Sequence, residues 1–386
     1  MSRRAPGLGV AIALGLTPIV AAPLGRLSAP FTLLLVLPPL AISLEALGWR
    51  ERLAVRLRRI RPGPRRLSAG YATWLVTSAA LSIDVAAVAS ASVGLAVAAD
   101  RPAERRWQLG GAILGSNVGS LLLPFSNLTN LVLVGASGVG LATYVKTAVW
   151  PQLACAVAVG CLFAVRAGRT LEPPVPAEAT VAPGPRVDRP AGPRSERMAA
   201  LSGLVAVLGA IAAVAFGLIG LDMAIPLAIA AACLAGMAVA QSRLSVGDVR
   251  RALPVAGLAV VLVAAVAAGP LALLAGTVPL PDATPAGLAI ALLTGGLLAA
   301  TVNNLPAAAF GGAWLAAAHP ATIVAFLVGT NVAAVATPHG SVATMLARST
   351  GDRLGTRSDT RAYLRTAWPY AIVGSAAGFG ALALLR

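Results

Sequence analysis

Two short polar runs, SNLTN at 126–130 and TPHGS at 337–341, interrupt otherwise apolar stretches of the chain. Such runs break helices, and a break at membrane depth leaves backbone amides and carbonyls unpaired beside hydroxyl and carboxamide side chains. That cradle can hold a small oxygen-rich solute or a bare cation. The candidate ligands are Ser126, Asn127, Thr129 and Asn130 in the first run and Thr337, His339 and Ser341 in the second. Asn117 and Asn331 precede the two runs, and Asn303 and Asn304 form another interruption within TVNNLP, 301–306. Asn and Ser also join helices to one another in lipid, which is the purely structural alternative for all of them. Asp84 is the one carboxylate standing well inside an apolar stretch. Ionising it in a low dielectric is costly, so it suits carrying a proton or pairing with a bound cation; a hydrogen-bonded side chain at a turn is the alternative. His339 could exchange protons inside the second break or hydrogen-bond to backbone.

These residues must be positioned by membrane helices. Of 386 residues, 58% are apolar and 11% charged, and the mean hydropathy is +0.82, which fits no soluble globular class. A spanning helix needs about 20 mainly apolar residues, and runs of that order recur at 8–24, 28–47, 198–219 and 366–385. Their apolarity is continuous, without the two-residue alternation of a barrel, so the fold class is an all-α polytopic membrane protein.

The net charge of +16 does not imply nucleic acid, because the basic residues sit in short loops between apolar spans. When loops are assigned alternately to two sides, 27 of the 30 Lys and Arg residues fall on one side, leaving Arg26, Lys146 and Arg386 on the other. Positive-inside sorting then places the N-terminus in the cytoplasm and the C-terminus outside, in an inner or plasma membrane. Met1 to Arg4 and the apolar run after them read as a retained first helix rather than a cleaved signal. Cys155, Cys161 and Cys233 fall inside apolar spans and read as buried small hydrophobes, with neither disulfide nor zinc spacing. No cofactor is implied, no Walker A run is present, and two histidines in separate contexts do not supply the convergent groups of an enzyme.

Residues 168–197 carry seven prolines with mixed charge and read as a cytoplasmic linker between membrane repeats at 1–167 and 198–386. In the first repeat, 68–98 is flanked on both sides by basic loops and is too short for two crossings, which predicts a re-entrant helical hairpin with its tip near Ser82 and Asp84. A broken span follows over 108–134. The second repeat has a matching hairpin over 284–318, interrupted at TVNNLP, and a second broken span around TPHGS. Gly115, Asn117, Val118 and Pro124 recur as Gly329, Asn331, Val332 and Pro338, a constant separation of 214 (329 − 115). The charge-derived topology runs the two copies in opposite directions, an inverted repeat that puts solute near the midplane between the broken helices.

SNLTN, SIDVAAV at 82–88, NNLP at 303–306 and TPHGSVATML at 337–346, in this order of spans, resemble the ion transporter superfamily and within it the arsenite permease family. The resemblance covers nearly the whole chain outside the linker. It implies a scaffold that often dimerises, a transport domain of hairpins and broken helices, and elevator-like alternating access. It further implies arsenite or antimonite efflux driven by the proton motive force, with H+ as coupling ion and sometimes a separate soluble ATPase, while related families carry dicarboxylates or sodium. A Na+- or H+-coupled transporter of dicarboxylates or other anions is the alternative. Asp84 matches the hairpin acid of the family. Asn117 and Asn331 stand where arsenite exporters carry acids, and Val335 where a lysine is common.

Overall fold

The computed structural model describes residues 36, 39–170, 192–219, 221–245, 270–357 and 359–385. Among these the regular structure is entirely helical. The expected span 8–24, half of 28–47, most of 252–275, and 171–191 of the expected linker lie outside the described residues. At its edges the linker is shorter than its prolines suggest. Leu141–Thr170 takes in 168–170, and Gly192–Leu218 takes in 192–197, including Pro193, because a proline in a helix's first turn forfeits no internal hydrogen bond.

Among the described residues three helices are long and apolar enough to cross a membrane: Leu141–Thr170, Arg197–Leu218 and Thr360–Leu384. At 1.5 Å per residue the last is about 37 Å long, more than the hydrocarbon core requires. Their outer faces carry exposed large apolar side chains such as Val157, Ile211 and Ile372, which hydrocarbon accommodates and water does not. Cys161 and Cys233 lie on such outer faces, and only Cys155 is buried. The expectation of three buried cysteines fails because a lipid-facing position is as apolar as an interior one, so apolarity alone does not separate them.

Leu141–Thr170 and Thr360–Leu384 are each preceded in the chain by a helix pair and an interrupted helix. Pro64–Ala80 turns at Leu81 and Ser82 into Ile83–Val97, and Pro285–Thr301 turns at Val302 and Asn303 into Asn304–Trp314. The first interrupted helix runs Pro102–Gly119, a 3-10 turn at Pro124–Ser126, then Leu128–Ser137. The second runs Pro320–Asn331, a 3-10 turn at Ala333–Ala336, then Val342–Arg353.

Packing among these pieces is crossed. In each half of the chain the first arm of the pair lies on the first piece of the following interrupted helix: Pro64–Ala80 on Pro102–Gly119, and Pro285–Thr301 on Pro320–Asn331. The second arms pack across the halves, Ile83–Val97 on Val342–Arg353 and Asn304–Trp314 on Leu128–Ser137.

Glycine makes the close approach in each half. A Cβ on Gly329 would lie 2.2 Å from the Leu292 carbonyl oxygen, and one on Gly115 would lie 2.8 Å from the Trp74 Cβ. These are two of the residues matched at the 214-residue separation, and both sit where a first arm crosses an interrupted helix. In the first half a buried ion pair fastens the same two helices near their N-termini: Arg66 donates to both carboxylate oxygens of Glu104, at 2.6 and 2.7 Å. Its two parallel bonds satisfy both groups, which is what a buried pair requires to be tolerated.

Gly329→Ala is expected to lower the thermal unfolding midpoint of the purified protein, by the equivalent of about 1–3 kcal/mol typical of overpacking. Gly110→Ala, in a helix interior where a Cβ meets nothing within 4 Å, is the control and is expected not to lower the midpoint and to raise it slightly.

Candidate functional site

The first break begins where Pro102–Gly119 ends. Pro124 has no amide hydrogen to continue a ladder, and Asn127, in extended conformation, starts the next helix by accepting the Thr129 amide at 3.0 Å on its Oδ1. Asn130 Nδ2 donates back to the Ser120 carbonyl at 2.6 Å, and Ser126 Oγ donates to the same carbonyl at 2.6 Å. The SNLTN side chains thus take up backbone groups that the interruption releases. All of them are buried.

Across this break lies Asn331, the last residue of Pro320–Asn331. Its Oδ1 accepts from Asn127 Nδ2 at 2.8 Å and from Thr129 Oγ1 at 2.9 Å, and its Nδ2 donates to Asn130 Oδ1 at 2.8 Å. One carboxamide from the second half therefore closes the first break with three side-chain bonds.

The second break is built on the same plan with fewer partners. Ser341 caps Val342–Arg353 by accepting the Thr344 amide at 3.4 Å, and this cap lies 214 residues after Asn127 (341 − 127 = 214). Asn117 stands to this break as Asn331 stands to the first. Its Nδ2 donates to Thr344 Oγ1 at 3.2 Å and to the Ile113 carbonyl at 2.8 Å, but its Oδ1 is buried and accepts no hydrogen bond. The substitutions explain the difference: Ser341, Ala343 and Thr344 occupy the places of Asn127, Thr129 and Asn130, so the donors that saturate Asn331 are missing.

The tip of the second helix pair reaches this break too. Asn303 Nδ2 donates to the His339 carbonyl at 2.7 Å, and the Asn304 amide donates to the Gly340 carbonyl at 2.9 Å. Asn304 Oδ1 is a second buried oxygen without a donor. Thr337 is tied to the same pair through a 2.9 Å bond to the Ala300 carbonyl. Gly340 and Thr344 flank the Ser341 cap of Val342–Arg353, so the Asn304 amide and the Asn117 side chain are both bound at the start of that half-helix. The arm carrying Asp84 packs on that same half-helix. Asp84 sits in the first turn after the Ser82 cap, half-buried, and among the described residues its carboxylate has no hydrogen-bond or ion-pair partner.

Of the residues singled out from the sequence, Ser126, Asn127, Thr129, Asn130 and Asn331 come together at the first break. Asn117, Asn303, Asn304, Thr337 and Ser341 come together at the second. His339 contributes its carbonyl, while its side chain is exposed. Asp84 is carried to the second break by its helix, without a bond to the others. Sequence reasoning missed Ser120 and Thr344. The repeat could have found the latter, because Thr344 lies 214 residues after Asn130.

A cavity of about 280 Å³ opens between Pro102–Gly119 and Thr360–Leu384, with Ile113, Thr356 and Tyr363 among its lining. The Tyr363 hydroxyl donates to the Val335 carbonyl at 2.8 Å, so this cavity ends against the second break.

The architecture matches a solved one. The crystal structure of the Alcanivorax borkumensis YdaH transporter, reported to have an unusual topology, superposes with a TM-score of 0.60 and 17% identity, covering 96% of this chain and 89% of that chain. The chain has the fold of a helical transporter. Neither a protein-family model nor a curated protein matches it.

Asn331→Ala is expected to lower the thermal midpoint well below that of Asn117→Ala. The first removes three bonds and leaves buried groups on Asn127, Thr129 and Asn130 short of partners, each at about 1–3 kcal/mol, whereas the second also removes an oxygen that had no partner. Equal losses in differential scanning fluorimetry would contradict the asymmetry.

Proposed function

We propose that the chain is a secondary active transporter, not an enzyme, of a small inorganic oxyacid, with arsenite or antimonite efflux coupled to protons as the specific reading. The observation that carries it is the pair of buried, donor-less carboxamide oxygens of Asn117 and Asn304, two residues bound on either side of the Ser341 cap in the second break. Arsenite near pH 7 is a neutral species with three hydroxyls, and hydroxyl donors are what such oxygens lack. Neither break contains a Lys or Arg, which suits a neutral solute better than an anion.

In this reading the membrane halves are inverted repeats and the helix pairs are re-entrant hairpins. The 214-residue spacing of the caps Asn127 and Ser341, the matched glycines and the crossed packing support that. In the same reading the chain lies in the cell membrane, with its basic loops and N-terminus in the cytoplasm and its C-terminus outside; the apolar outer faces and the clustering of basic residues in loops support that. Asp84, unpartnered beside the second break, carries the coupling proton, and alternating access moves the breaks between the two sides. A homodimer and a soluble ATPase partner belong to the resemblance and complete this reading.

Uptake of radiolabelled arsenite beside succinate into inside-out vesicles, with imposed proton or sodium gradients, tests it. Proton-driven accumulation of arsenite is expected. Succinate accumulation driven by sodium would replace the solute and ion named here, and accumulation of neither would remove the oxyacid assignment. Asp84→Asn is expected to abolish gradient-driven accumulation while the protein remains folded, and unchanged accumulation would remove Asp84 from coupling.

A further inference from the structure

Beside the second break lies an apolar groove of about 460 Å³, within the roughly 300–1,000 Å³ range of ligand sites. One wall is the first arm of the second helix pair, through Leu293 and Leu297, each 66% exposed. The opposite wall is the helix Thr360–Leu384, through Trp368, Ile372 and Phe379. Ala333 and Ala336 of the 3-10 turn line it as well, so whatever fills the groove touches the interruption itself.

The wall on Thr360–Leu384 continues past the groove. Arg361, Arg365, Trp368, Ile372, Ala376 and Phe379 recur at intervals of three or four residues and so share one helix face. Toward its N-terminal end this face changes from apolar to basic. Arg361 and Arg365 are exposed and, among the described residues, have no hydrogen-bond or ion-pair partner. The nearby carboxylate of Asp359 is engaged in capping the helix at the Ala362 amide, 2.9 Å away. An apolar trough ending in two free guanidinium groups, with a Trp at the junction, has the polarity profile of an acyl chain joined to a phosphate at the membrane surface.

We propose that this groove is a specific site for an anionic phospholipid, whose acyl chain lies between Leu293 or Leu297 and Ile372 and whose headgroup phosphate rests on Arg361 and Arg365. A second copy of the chain fits less well. Copies related by a two-fold axis along the membrane normal meet level for level, which would set these arginines against their own counterparts. A lipid phosphate neutralises them instead. Because the chain end reaches Ala333 and Ala336, the bound lipid braces the turn between the two pieces of the interrupted helix. The proposal rests on the membrane placement above and not on the identity of the solute.

Native mass spectrometry of the full-length protein, titrated with phosphatidylglycerol or phosphatidylcholine of the same acyl composition, tests it without any transport measurement. Wild type is expected to retain phosphatidylglycerol in preference, and Arg361→Gln and Arg365→Gln each to reduce that preference roughly fivefold, the value of one arginine near an anionic surface. Ala376→Phe, at an exposed position in the groove, is expected to lower binding of both lipids. Equal retention of the two lipids by wild type, or full phosphatidylglycerol binding by the double Arg→Gln variant, would overturn the proposal. So would efficient disulfide cross-linking of Ile372→Cys between two copies in the membrane, which would assign the groove to a dimer contact.

Discussion

The carboxamide of Asn331 holds the centre of the molecule together. It bonds at both of its ends to Asn127, Thr129 and Asn130, and Asn127 and Asn130 in turn pair backbone released by the first break. In a low-dielectric interior, an interrupted helix is tolerated only when its freed groups find partners, and a partly satisfied network costs more than an apolar core. The bonds therefore do two things at once. They make the first break affordable, and they fix the end of Pro320–Asn331 against it.

The rest of the architecture follows from that junction. Glycines at 115 and 329 let each first arm reach backbone contact with an interrupted helix, so the breaks sit at fixed depth. The second arms cross between halves and bring Asn304–Trp314 onto Leu128–Ser137 and Ile83–Val97 onto Val342–Arg353. The two copies of the plan have nevertheless diverged. One break is filled from within by Asn331, while the other, with Ser341, Ala343 and Thr344 in the matching places, leaves Asn117 and Asn304 with acceptor oxygens to offer. A closed break and an open one, related by 214 residues, give the molecule a rigid joint and a receptive one.

Much of this was legible in the sequence. The polar runs marked both interruptions, because Pro124 and Pro338 cannot extend a hydrogen-bond ladder and Asn and Ser compete for backbone groups. The turn near Ser82 was legible from the basic loops on both sides of 68–98, and the turn in TVNNLP from its polar interruption of an apolar stretch. Other features were not. Arg66 read as one more basic loop residue, since its burial depends on a helix that starts at Pro64 and on Glu104 thirty-eight positions away. The three-way contact of Asn331 depends on how two distant segments cross, which no local pattern encodes. The outward placement of Cys161 and Cys233 was hidden because lipid and protein interior select the same residue types.

The central claim is that the second break, buried here around Ser341, meets water during the working cycle. The most direct measurement is the accessibility of Ser341→Cys, in a background lacking Cys155, Cys161 and Cys233, to a membrane-impermeant thiol reagent applied to right-side-out and inside-out vesicles. An Arg357→Cys control in the exposed loop reports reagent delivery to the face on which that loop lies. Modification of the Ser341→Cys thiol from at least one face is the expected result. Absence of modification from both faces, with the control fully labelled, would contradict the account.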